Sequence, residues 1–163
     1  MATSWGIWFV VDEEFLRHAR ELLRSVDTLV FGRKTYQHMA GYWPSAPVDE
    51  IADKMNGLPK IVSSKSLKVA DWNNSRLVNS DAAQEVSRLK REPGRDMVIL
   101  GSAALASQLL QNGLIDEYRV VPQPVLIGGG TSIFRGIDEK IRLTLTRSQS
   151  FDSGVTVLCY QKA

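Results

Sequence analysis

The stretch LVFGRKTY, residues 29–36, decides the fold, because it passes directly from an apolar run to a basic one. A strand is predicted at Thr28 to Phe31, and Gly32 ends it. A short helix is predicted to start near Lys34 and to end at Gly41. Ligands of open α/β sheets bind outside the carboxyl ends of the strands. A helix start at that place offers free N–H groups and a partial positive charge, so the stretch predicts a phosphate-binding position.

Two further strands end in a similar way. Ser63–Ser64 follows a predicted strand at Lys60 to Val62. Gly101 follows a strand at Met97 to Leu100, and Ser102 opens the next helix. Three such positions at the ends of separate strands outline a long anionic ligand such as a dinucleotide. The Gly-x-Gly-x-x-Gly fingerprint and the P-loop motif are both absent from the sequence.

The rest of the chain alternates short apolar runs with amphipathic segments. Helices are predicted at about Asp12 to Ser25, Pro47 to Asn56, Ser80 or Asp81 to Glu92, and Ser102 to Asn112–Gly113. Further strands are predicted at Arg76 to Val78, Glu117 to Val121, Ile141 to Ser148 and Val155 to Gln161. The predicted fold is one α/β domain, residues 1–163, with a mostly parallel sheet flanked by helices and an antiparallel C-terminal edge.

Composition narrows the classes of function. The chain has 163 residues, 20 basic against 18 acidic side chains, and a net charge of +2. This balance argues against nucleic acid, which needs a concentrated basic face. The single cysteine, Cys159, excludes an intrachain disulfide and a cysteine-based metal site, and its apolar neighbours predict a buried thiol. No membrane-length apolar run and no signal peptide are visible, so we expect a cytoplasmic protein without metal or membrane partners.

The three strand ends resemble motifs of one known family. LVFGRKTY looks like the Gly-Arg-x-Thr signature of dihydrofolate reductases. Lys60–Ser64 resembles their second cofactor strand, and Val98–Leu105 resembles their Gly-Gly segment at a helix start. The tail, from Leu114–Glu117 through Pro124–Gly130 to Phe134, is closer to the reductase domain of bifunctional riboflavin-biosynthesis deaminase/reductases and their stand-alone bacterial relatives. The match runs from the first predicted helix to the C-terminus.

This resemblance implies a dihydrofolate-reductase-like fold, NADPH as cofactor and a homodimer. Arg33, Lys34 and Thr35 would contact the 2′-phosphate and the pyrophosphate of NADPH. The two serines after the second strand would hold the adenosine end, and residues 101–105 would wrap the pyrophosphate and the nicotinamide ribose. The candidate cofactor-binding residues are therefore Gly32, Arg33, Lys34, Thr35, Ser63, Ser64, Leu100, Gly101, Ser102, Ala103, Ala104 and Leu105.

The activity implied by the resemblance is hydride transfer from NADPH to a C=N or C=O bond of a pterin-like or pyrimidine-like heterocycle. One departure from the family leaves an alternative open. Family members open with a strand and a Ser-x-Asp-Gly-like loop, and only about a dozen residues precede the first helix here. Either Trp5 to Val11 substitutes for that strand or the chain begins late, and we expect the late start. The alternative function is a nucleotide-binding module without catalysis.

No catalytic residue is identified from the sequence. His18 and His38 are expected at the surface or its boundary, because no acidic or serine partner stands at triad spacing. Asp12 to Glu14 lies where the family can carry a substrate-facing acid, and helix capping explains these acids equally well. For Tyr36 and Tyr42–Trp43 we favour core packing over a flat heteroaromatic substrate pocket.

Overall fold

Helices alternate with strands along most of the chain, and the last three elements are strands. The computed structural model describes residues 9–130, 132, 134, 136–137 and 139–163. The helices are α1 (Glu13–Ser25), α2 (Arg33–Tyr42), α3 (Glu50–Gly57), α4 (Ala82–Leu89) and α5 (Ala103–Gln111), with a 3₁₀ turn at Trp43–Ser45. The strands are β1 (Val26–Gly32), β2 (Lys60–Ser63), β3 (Ser75–Val78), β4 (Asp96–Ile99), β5 (Glu117–Val120), β6 (Leu143–Ser150) and β7 (Thr156–Lys162).

Four strands form a parallel sheet in the order β3-β2-β1-β4, and three form an antiparallel sheet in the order β5-β7-β6. In the parallel sheet, Leu29 of β1 lies between Lys60 of β2 and Val98 of β4. The parallel part and the antiparallel C-terminal part are both confirmed. Among the described residues they are hydrogen-bonded as two sheets, whereas the sequence predicted one continuous sheet.

Alternate residues of β1 face two different cores, as the two-residue period of a strand requires. Leu29 and Phe31 pack with buried residues of α1, α2 and α3. Val30, between them, packs with buried residues of α4 and α5. The parallel sheet is therefore covered by helices on both faces, which explains why β1 is apolar along most of its length.

Helix α1 also covers the antiparallel sheet. Its Phe15 packs with Phe151, Val155, Val157 and Cys159, and Cys159 is only 1% exposed, as predicted for a buried thiol. Farther along the same helix, Ala19 and Leu23 belong to the core of the parallel sheet. One helix thus packs on both sheets.

The start of α3 differs from the prediction. The helix begins at Glu50 and not at Pro47, because the Asp49 side chain accepts a hydrogen bond of 2.8 Å from the N–H of Ala52 and caps the helix there. Val48, inside the predicted helix, therefore lies outside the observed one and is 91% exposed. At the three predicted ligand positions, by contrast, strand ends and helix starts agree with the prediction to within one residue.

The N-terminal segment weighed as a substitute for the family's first strand, Trp5 to Val11, lies mostly outside the described residues. Its described part, residues 9–11, is not in a strand and packs half-buried against the core of the antiparallel sheet. The N–H of Val10 donates a 2.8 Å hydrogen bond to Oε1 of Gln123. None of the helices in the described part of the chain has the length and apolarity needed to cross a bilayer.

Candidate cofactor-binding site

The three predicted ligand positions lie side by side at one edge of the parallel sheet. Strands β2, β1 and β4 are neighbours, and Gly32 at the end of β1 lies opposite Ser63 at the end of β2. Val30 lies opposite Ile99 of β4, which places Gly101, two residues farther on, level with Gly32. Positions far apart in the sequence are therefore brought together by strand pairing alone.

A serine hydroxyl joins two of these segments. Oγ of Ser102 accepts a hydrogen bond of 3.0 Å from the backbone N–H of Gly32. Ser102 has φ 55°, in the left-handed region, and Gly101 before it has φ 70°. A left-handed conformation is unfavourable for a residue with a Cβ atom, so the Ser102 conformation is held by its surroundings, including this hydrogen bond.

The two segments also approach each other closely. A Cβ atom added to Gly32 would lie 3.7 Å from Cβ of Ser102 and 3.7 Å from Cβ of Leu105. A Cβ atom on Gly101 would lie 3.8 Å from Cγ2 of Thr35. These are ordinary contact distances, so the start of α2 and the start of α5 lie against each other with no gap for a large side chain.

Helix caps divide the five helices into two groups. Helices α1, α3 and α4 each begin with an aspartate whose carboxylate accepts a hydrogen bond from a first-turn N–H, from Asp12, Asp49 and Asp81 respectively. Helices α2 and α5 begin at Gly32 and Ser102 without any side-chain cap. The first-turn N–H groups of these two helices remain available to a ligand, and both face the same sheet edge.

Charge at this edge is positive. The first turn of α2 contains Arg33 and Lys34 and no acidic residue, the opposite of what the helix dipole favours. Both side chains are exposed, and within the described part of the chain neither forms an ion pair with a carboxylate. Two free cations beside two uncapped helix termini can bind phosphate groups.

Three of the predicted residues lie at this edge but direct their side chains away from it. Ser64 is 7% exposed, and its Oγ accepts hydrogen bonds from the N–H groups of Ser66 and Leu67 in its own loop. Leu100 and Leu105 pack in the two cores of the parallel sheet. These three residues can offer a ligand only their backbone groups.

A buried lysine supports the second strand. Lys60 is 0% exposed, and its Nζ donates to the carbonyl oxygens of Asn56 at 3.0 Å, Leu58 at 2.8 Å and Asn73 at 2.9 Å. The ammonium group also lies 4.4 Å from the centre of the Trp72 ring. Lys60 thereby connects the end of α3 to the loop before β3, a role the sequence did not reveal because the residue simply opens an apolar run.

The other candidate residues divide between confirmed and corrected predictions. Asp12 caps α1, with Oδ1 2.7 Å from the N–H of Phe15, which confirms the capping interpretation. Tyr36 and Trp43 are 2% and 6% exposed, which confirms core packing. His18 was expected at the surface or its boundary, and this was wrong: it is 7% exposed, because the antiparallel sheet covers its side of α1.

The chain is similar to one protein family and to several solved structures. The RibD C-terminal domain family matches residues 2–157. The Bacillus subtilis protein YyaP, described as uncharacterized, is 30% identical over 94% of this chain and 82% of its own length. A Shewanella sp. PV-4 structure assigned to riboflavin biosynthesis superposes with a TM-score of 0.73 at 21% identity, over 94% of this chain and 81% of its own.

Dihydrofolate reductase from Enterococcus faecalis, solved with NADP(H), superposes with a TM-score of 0.62 at 15% identity. The alignment covers 99% of this chain and 88% of the reductase, so the two proteins share their fold. With a family match over nearly its whole length, the chain belongs to the RibD C-terminal domain family and has a dihydrofolate-reductase-like fold.

Proposed function

We propose that this protein binds NADPH and reduces a pyrimidine-like or pterin-like heterocycle. The observation that carries the proposal is the pair of uncapped helix termini, α2 and α5, lying against each other at the carboxyl edge of the parallel sheet. A dinucleotide has a pyrophosphate with two adjacent phosphates, and adjacent helix N-termini supply backbone donors for such a pair. The family membership supports the reductase assignment.

Arg33 and Lys34 favour NADPH over NADH. They stand at the first turn of α2, where a 2′-phosphate would add two negative charges within reach of two unpaired cations. Gly32 and Gly101 have no side chain at the same edge, so a ligand can approach their backbone closely. The residues present therefore fit the cofactor that the fold family implies.

The chain's own contribution is binding and orientation. NADPH, when bound, supplies hydride to the substrate. Ser102 holds the start of α5 against the start of α2, so the phosphate donors of both helices keep a fixed spacing. Ser64 and Lys60 fix the loops that flank the second strand.

The alternative is a nucleotide-binding module without catalysis. The observation in its favour concerns the acids at the position where the family can carry a substrate-facing acid. Asp12 is engaged in capping α1, and Oε2 of Glu14 accepts a 2.8 Å hydrogen bond from the N–H of Asp152. Both carboxylates therefore have structural partners.

Calorimetry with NADPH and NADH tests the cofactor assignment. Arg33→Ala should weaken NADPH by about 1–3 kcal/mol, the range for a hydrogen bond to a charged group, and affect NADH less. Arg91→Ala is the matched control, because this exposed arginine follows α4 at the opposite sheet edge. Equal affinity of the wild-type protein for the two cofactors would contradict the assignment.

Oxidation of NADPH in the presence of pyrimidinone or dihydrofolate substrates then separates a reductase from a binding module.

We also propose a homodimer that pairs through β6. This strand is at the edge of the antiparallel sheet, and all eight of its residues are exposed, including Leu143 and Leu145. An unpaired edge strand of this length can form hydrogen bonds with a strand of another chain. Antiparallel pairing of β6 with the same strand of a second copy is compatible with a twofold symmetric dimer. Light scattering at micromolar protein should give twice the chain mass of 18.2 kDa. A mass equal to that of one chain would reject the dimer.

A further inference from the structure

A polar cavity lies between α1 and the antiparallel sheet. It has a volume of about 140 Å³ and is lined by His18, Glu21, Leu22, Ser25, Arg119 and Arg147. Pockets for drug-sized ligands usually occupy ~300–1,000 Å³, so this cavity suits a single small ion or one terminal group of a larger molecule.

Strand register explains why two arginines reach this cavity. Arg119 of β5 and Arg147 of β6 both pair with Cys159 of β7, so all three side chains project from the same face of the sheet. That face is covered by α1, which contributes His18. Nη2 of Arg147 lies 3.7 Å from Sγ of Cys159, which holds the guanidinium beside the cavity.

His18 is 7% exposed and lines the cavity. Within the described part of the chain it makes a tilted ring contact with Phe151 and interacts electrostatically with Arg119, Arg147 and Glu21. Burial, together with the positive charges of Arg119 and Arg147, lowers the pKa of His18, and Glu21 opposes this shift. An anion in the cavity would satisfy the ring nitrogen and reverse the effect of the arginines.

Basic side chains outnumber acidic ones in the described cavity lining, with Arg119 and Arg147 against Glu21. Arg119 is paired with Glu117 outside the cavity lining, and Arg147 forms no ion pair within the residues that the structure describes. Glu21 is the single acidic residue in the described lining. Two guanidinium groups and one imidazole can donate several hydrogen bonds to a tetrahedral oxyanion.

The cavity is separate from the candidate cofactor edge. Ser25 lines the cavity and directly precedes the first residue of β1, whereas Gly32 ends β1 at the cofactor edge. Seven residues of extended strand span about 23 Å. We propose that His18, Arg119 and Arg147 form a second binding site, specific for a small oxyanion with two negative charges such as a phosphoryl group.

The two histidines of the chain allow a test in which each reports one site. His18 lines the cavity, and His38 lies on α2 one turn beyond Lys34. Imidazole NMR signals are assigned with His38→Gln and followed during separate titrations with inorganic phosphate, ribose 5-phosphate and acetate. We expect either phosphate to shift the His18 signal saturably and to raise its pKa, with acetate at least tenfold weaker because it carries one charge.

Arg147→Gln should weaken this response roughly tenfold or more, as expected for the loss of a charge-assisted contact, and Arg147→Lys should restore part of it. Arg91→Gln is the control at a remote arginine. The proposal is overturned if neither phosphate moves the His18 signal, if Arg147→Gln leaves the response unchanged, or if acetate binds as well as phosphate. NADPH affinity, measured on the same variants, should stay at the wild-type value, so the outcome is independent of the proposed reductase function.

Discussion

Replacement of Ser102 tests the connection between the two candidate phosphate-binding helices. Ser102→Ala removes the hydroxyl that accepts the Gly32 N–H and keeps the left-handed backbone. Loss of a hydrogen bond costs about 0.5–1.5 kcal/mol, and more when the remaining donor is partly buried, as Gly32 is. We therefore expect Ser102→Ala to lower the free energy of unfolding by about 1–2 kcal/mol.

Ser102→Gly loses the same hydrogen bond and relieves the backbone strain. A left-handed conformation costs a residue with a Cβ atom about 1–2 kcal/mol, and glycine adopts it freely. The glycine variant should therefore be more stable than the alanine variant by about 1 kcal/mol. At the length of this chain, that difference corresponds to about 2–4 °C in Tm.

Thermal and urea unfolding of the three proteins measure these differences, and hydrogen exchange of the Gly32 amide measures the hydrogen bond directly. Exchange at Gly32 should be faster in both variants. NADPH affinity should fall in both, since the spacing of the two helix termini is no longer fixed. Wild-type stability in Ser102→Ala, unchanged exchange at Gly32, or a glycine variant less stable than the alanine variant would refute the reasoning.

Two further substitutions probe the same edge and its support. Gly101→Val should lower the free energy of unfolding by about 1 kcal/mol or more through strain at φ 70°, and it should also weaken NADPH binding. Gly113, at the far end of α5, has φ 66°, so Gly113→Val should lower stability without changing NADPH affinity. Calorimetry and Tm of both variants check this, and unchanged affinity in Gly101→Val would remove the segment from the site. Burial lowers the pKa of Lys60 to about 8 in the folded protein, whereas its usual pKa is near 10.4. Between these two pH values the unfolded chain therefore binds more protons than the folded chain. Wild-type stability relative to Lys60→Met should therefore rise with pH over this interval, by at most about 1.4 kcal/mol per unit, and a flat difference in urea unfolding would contradict it.

The sequence predicted the elements that depend on local pattern. The change from an apolar run to a basic helix start at Gly32 is visible in eight residues, and the other two candidate ligand positions are visible as small or polar residues after an apolar run. The aspartate cap of α1 was also predicted, and that of α4 was one of two predicted candidates, Ser80 or Asp81, because a cap and the N–H that it binds are at most three residues apart.

Features that depend on distant contacts were not predicted. His18 looks like a polar helix residue, and strands from the other end of the chain bury it. The left-handed conformation of Ser102 depends on a partner 70 residues away. Val48 follows the helical period of α3, but the cap at Asp49 starts the helix after it.

The uncapped termini belong to helices in different cores of the protein. Helix α2 packs with the core that contains Phe31, and α5 packs with the core that contains Val30. A dinucleotide held by both helices would connect the two faces of the parallel sheet as a non-covalent cross-link. Ligand at one hundred times its Kd adds about 2.7 kcal/mol to folding stability. The concentration of the dinucleotide would then contribute directly to how much of this protein stays folded.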